Sequence, residues 1–286
     1  MRSVAPLALL AALVLGIAAC RPAADRSRGV PSAEAEIPEG FTVVDRGALR
    51  VIGDEEPDRI ATRADDLERA CALLREDFFG RDPEPMPSVW LFRDTASYEA
   101  GAARVLGHPP DTRHGLYSVG DQAVLADVSV GAGAPVHYLV HAYVHATVDG
   151  CPVWYDEGLG TLFESWEERE GHIVGLHDDR LGVVQRAITA GSLPTIEALT
   201  ELDAATFHGE HKAVHQATAR YLCFHLQQED RLRTYHQRWL RAQGRDPSGA
   251  RTLLAVHGED DLAQLQQRWE RWVMLIAEGE ETDEKR

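Results

Sequence analysis

The sequence predicts an α+β protein, with a small sheet and its helices in the first half and an almost wholly helical second half. Three observations point there. Short apolar runs of about four residues, bounded by turn residues, recur before residue 130, as strands do. Beyond residue 178 apolar residues return at three- and four-residue spacings, the helical period. Between the two regimes, residues 135–164 carry a dense set of histidines and carboxylates on what reads as a pair of helices.

The elements follow in order. Phe-Thr-Val-Val (41–44) and Leu-Arg-Val-Ile (49–52) flank Asp45, Arg46 and Gly47, which predicts a hairpin. Residues 57–79 read as a helix, because Ile60, Leu67, Ala70, Leu74 and Phe78 recur at near-helical spacing and Gly80 follows. Val-Trp-Leu-Phe (89–92) is a buried strand, and Asp94 with Thr95 caps a helix running to about Leu106. Gly-Leu-Tyr-Ser (115–118) and Ala-Val-Leu-Ala (123–126) supply two more strands around Gly120 and Asp121. Pro135, after a Gly-rich approach, suits the first turn of the histidine-bearing helix. Further helices are expected near 179–190, 211–228, 230–243, 247–256 and 260–277, punctuated by Gly244, Pro247, Gly249 and Gly258. Residues 41–177 are thus expected to form an α/β subdomain, 178–277 a helical one, and 278–286 a charged tail.

A chain of 286 residues suffices for one large domain or two modest ones. Its 44% hydrophobic and 26% charged residues are an ordinary globular composition. A formal charge of −17 argues against nucleic acid as a partner and leaves no polybasic patch for a membrane. Residues 1–19 read as a targeting segment: Arg2 is followed by an apolar run from Leu7 to Ala19, too short to span a bilayer. Ile17, Ala18, Ala19 and Cys20 resemble a bacterial lipobox. That resemblance implies cleavage before Cys20, lipid on Cys20, and an exported protein anchored at a membrane surface by residues 20–40 as a tether. A plain secretory signal is the other reading. Three cysteines then remain. Cys71 and Cys223 sit in apolar helical patterns and read as small buried hydrophobes, and the pairing of Cys71, Cys151 and Cys223 stays open.

Residues four apart on a helix share a face, offset by one turn. His137 and His141 can therefore address one ion, as can His141 and His145, whereas His137 and His145 lie about 12 Å apart along the axis. Such a pair is common, and His211 with His215 is another. What singles out the first is the segment that follows, Trp154-Tyr-Asp-Glu157-Gly158 and on to Glu164.

Together these residues resemble the active-site segment of a gluzincin zinc peptidase, of the peptidase-MA-like group of exported bacterial proteins. The stretches 89–94, 115–118 and 215–222 extend the likeness over most of residues 41–240, although only 137–164 is specific. The resemblance implies a metallopeptidase fold and a zinc ion held by His137, His141 and Glu157. His145 is the substitute ligand; its use would leave eleven residues before Glu157 rather than fifteen. It also implies a peptide or protein as substrate or ligand. Members carry Glu directly after the first histidine as general base, and this chain has Tyr138 there, or Ala142 in the other register. A phenol with an ordinary pKa of about 10 is a poor base at neutral pH, although it can donate a proton. Tyr138 is thus the candidate catalytic group on the helix. His215, with Tyr221 as second choice, is where the resemblance puts an oxyanion-stabilising group. Asp156 is expected to face away from the site. The expectation is a surface-anchored, metallopeptidase-like lipoprotein with weak or no proteolysis. An active hydrolase with a non-standard base and a metal-free envelope protein are the alternatives.

Overall fold

A computed structural model describes residues 37–131 and 133–276. The targeting segment, Cys20, most of the tether and the charged tail lie outside the described residues. The molecule is α+β. Strands β1 (Thr42–Arg46) and β2 (Leu49–Gly53) form the expected hairpin, and helix α1 (Pro57–Leu74) follows, continued by a π-helical turn over Arg75–Phe79. Then come β3 (Ser88–Phe92), α2 (Thr95–Leu106), β4 (Gly115–Ser118) and β5 (Ala123–Asp127). The sheet order is β1-β2-β3-β5-β4, with β3 parallel to both β2 and β5, and antiparallel strands β1 and β4 at the edges.

The parallel centre needs helical crossovers, and these cover both faces of the sheet. Strand alternation sorts the side chains. Val51, Val89, Leu91, Val124 and Ala126 join the main core with α1, while Ile52, Trp90, Phe92, Ala123 and Leu125 pack with Tyr98 and Ala102 of α2. Asp94 caps α2 as expected, its side chain accepting from the Ser97 amide at 2.8 Å.

Helices α3 (Ala134–Thr147) and α4 (Val153–Leu162) follow the sheet. Val136, Leu139, Val140 and Val144 of α3 join the main core on the α1 side. A hairpin of β6 (Trp166–Arg169) and β7 (His172–Gly175) comes next and is absent from the sequence reading. Its Trp-Glu-Glu-Arg strand has no apolar alternation, and it is held by tertiary bonds. Asp77, buried on the π-helical turn, takes the His172 Nδ1 proton at 2.6 Å and the Ile173 amide at 2.9 Å.

The second half is helical: α5 (Arg180–Ala190), α6 (Ile196–Thr200), α7 (Ala204–Phe207), α8 (Lys212–Gln228), α9 (Leu232–Ala242), α10 (Ala250–His257) and α11 (Leu262–Leu275). The short α6 and α7 escaped the periodicity argument because neither completes two turns. Thr195 and Asp203 cap them, accepting from the amides of Ala198 and Thr206. The main core runs unbroken from the sheet into these helices through Trp154, Tyr155, Tyr235, Trp239 and Trp269. Cys71 and Cys223 are buried, and Cys71, Cys151 and Cys223 are all free. Among the described residues, no helix is long and apolar enough to cross a membrane.

Candidate metal centre

Helix α4 is anchored deep in the protein. Trp154 and Tyr155 are fully buried, the indole donating to the Ser248 carbonyl at 2.8 Å and the phenol pairing with His236 at 3.0 Å. Gly158 lets α4 lie directly against α8: a Cβ there would sit 2.8 Å from Cys223 Sγ and 2.9 Å from the Ala219 carbonyl oxygen. Gly160 leaves room for the ring of His137, which a Cβ would approach to 3.2 Å. These contacts fix the height and rotation of Glu157 opposite α3.

His137 and His141 stand one turn apart on α3, with ring centroids 4.6 Å apart. Each imidazole is oriented from behind by a carboxylate. His137 Nδ1 donates to Glu164 at 2.6 Å, and His141 Nδ1 donates to Asp156 at 2.7 Å. With Nδ1 committed, both Nε2 atoms are left to face Glu157, at 3.8 Å from Oε2 for His137 and 3.9 Å from Oε1 for His141. Gln216 of α8 steadies the same carboxylate by donating to Oε2 at 2.8 Å. A histidine whose distal nitrogen is held by a carboxylate is the usual supporting shell of a metal-bound imidazole. The cluster offers two imidazole nitrogens and a carboxylate, all within 4.8 Å of one another, a donor set that suits zinc.

The surroundings are strongly acidic. Burial opposes a charge on His141, yet Asp156, Glu157 and Glu164 outweigh it and lift its pKa to about 9. Glu164 is held down to about 2 despite burial, by its bond to His137 and by the Arg180 guanidinium. Asp156 is likewise lowered, against burial, by His141. The donors thus sit where positive charge is favoured. Tyr138 differs: burial and then the charges of Glu164, Tyr98 and Glu157 push its phenol further up, so it holds its proton firmly. Its ring lies against Gly115 of edge strand β4.

The other expected residues are placed as follows. His145 is exposed and lies beside Tyr117, its ring centroid 5.8 Å away, apart from the cluster. His215 is buried and gives its Nδ1 proton to the Phe207 carbonyl at 3.0 Å, while Tyr221 donates to the Asp178 carbonyl at 3.0 Å. Asp156 corrects the sequence reading, since it turns toward the site and orients His141. Neighbours on a helix diverge by about 100°, but α4 lies alongside α3 so that the two carboxylates reach opposite nitrogens of one ring. His208, just past α7, is a residue that sequence reasoning missed: its Nε2 lies 3.4 Å from Glu157 Oε1.

A second group could also hold a metal ion by its donors, namely His225 and Glu229 at the end of α8 and His257 at the end of α10. Here the Arg231 guanidinium already sits between donors, with Nη1 2.8 Å from Glu229 Oε2 and 3.0 Å from His257 Nδ1. Compared with known proteins, the chain matches no family model and no curated protein.

Proposed function

We propose that the chain is a zinc-binding, metallopeptidase-like protein of gluzincin type, exported and anchored through lipid on Cys20, in which proteolysis is weak or lost. The observation that carries this reading is the convergence of His137 Nε2, His141 Nε2 and Glu157, with both Nδ1 atoms held by Glu164 and Asp156. Bound zinc would supply Lewis acidity at a carbonyl oxygen. The chain's own part is to hold the donors in register and to shield them: His137 and Glu157 are buried. What it lacks is a carboxylate at position 138, directly after His137, to serve as general base. A positioned base contributes roughly 10²–10⁴ in rate. Tyr138 is a donor, its pKa pushed up by burial and neighbouring carboxylates. The reading therefore assigns the protein to binding a metal and a peptide more than to cleaving one.

Cleavage of a peptide library by the zinc-loaded wild type and by Tyr138→Glu tests this. The expected result is wild-type turnover at or near background and a gain of about 10²–10⁴-fold in the variant. Wild-type turnover as fast as that of the variant, and abolished by His137→Ala, would contradict it.

A further inference from the structure

The fourth group facing the cluster is His208. Its Nε2 is nearer to Glu157, at 3.4 Å, than is either α3 imidazole, at 3.8 and 3.9 Å. Ligand atoms around a tetrahedral centre with bonds of about 2.0–2.1 Å stand about 3.4 Å apart. The His208–Glu157 spacing already matches that, and the α3 pair needs a contraction of a few tenths of an ångström. The loop is well anchored at its backbone. Phe207 is fully buried, its carbonyl receives His215 Nδ1, and the next residue of α8, Gln216, holds Glu157. The His208 side chain is different. At 38% exposed it has no carboxylate behind it, whereas the α3 imidazoles are 8% and 14% exposed and each is pinned. It reaches Glu157 without belonging to the compact group of three, so to join an ion there its unpinned side chain has to rotate.

We infer that His208 is a fourth protein ligand, closing the site that His137, His141 and Glu157 begin; this rests on the metal-binding reading above. Three protein ligands leave a position open for a reacting molecule, while four make a closed tetrahedral site that holds its metal. A closed site agrees with Tyr138 standing where a base would be needed. Both features favour retention of the ion over catalysis by it, and the gain expected of Tyr138→Glu then requires His208 to leave the ion, as it must in the double variant with His208→Ala.

Cobalt(II) titration of the full chain tests the inference, with visible absorption and chelator competition as readouts. Wild type is expected to bind one equivalent with the intense bands of four-coordinate cobalt, and added azide should leave the spectrum unchanged. His208→Ala should still bind one equivalent, at least about 10–100-fold more weakly, and azide should now alter its spectrum. Equal affinity and equal azide response in the two proteins would overturn the role of His208 and leave the three-residue site standing. No cobalt bound by either protein would overturn both readings.

Discussion

Among the described residues stand two groups built from two histidines and one glutamate, and their surroundings are opposite in sign. Around His137, His141 and Glu157 stand Asp156 and Glu164, and the net effect is to raise His141 to about 9. Around His225, Glu229 and His257 stand Arg231 and Arg268. Burial chiefly, with those guanidinium charges adding to it against the pull of Glu229, lowers both histidines to about 4. The second pair of rings is also stacked, with centroids 5.2 Å apart at 23°, and Trp272 lies against His225. Donor identity alone therefore does not make a cation site. In the first group Arg180 pairs with the supporting Glu164 and leaves Glu157, the donor carboxylate, without an arginine partner; in the second Arg231 already pairs with the donor carboxylate itself.

The largest expected effect is on the donors themselves. Glu157→Ala should abolish metal binding, whereas Glu229→Ala should leave it untouched, as isothermal titration would record. Next come the supporting carboxylates. Asp156→Asn and Glu164→Gln should each weaken binding by about 10–100-fold while keeping one equivalent, since they orient the imidazoles without touching the ion.

The contrast also has a pH signature in metal-free protein. His225 and His257 are held below their ordinary value, so the stability they contribute is present at neutral pH. It is lost as pH falls from about 6.5 through about 4. His141 behaves in the opposite way: its contribution is complete below about 6.5 and is lost as pH rises through about 9. Urea midpoints across this range, in chelator, should fall at both ends. His141→Ala should flatten the alkaline limb and spare the acid one.

The smallest effect expected is also the sharpest test of the electrostatic argument. Arg231→Ala should give the second group a weak metal equivalent, seen as a shallow second phase in the titration. Its absence would mean that Arg268 or burial alone suffices to exclude the ion.

How much of this was legible in the sequence depended on the range of the interaction. The i, i+4 spacing of His137 and His141 is a local property of a helix and could be read directly. Glu157 could be read because it lies in a patterned segment. The strands could be read because each apolar run is short and bounded. His208, Gln216 and Arg180 reach the site from just past α7, from α8 and from α5, and no local pattern marks such a meeting. Asp156 was misjudged because helix periodicity gives the direction of a side chain but not the angle of the helix it meets. Hairpin β6–β7 was invisible for a related reason: its order comes from Asp77, a π-helical turn some 95 residues away in sequence.

Zinc content by elemental analysis of wild type, His137→Ala and His257→Ala, each supplied with metal during folding, tests the central claim most directly. The account predicts one zinc per chain in wild type, none in His137→Ala and one in His257→Ala. Zinc absent from wild type, or lost with His257→Ala and kept with His137→Ala, would contradict it.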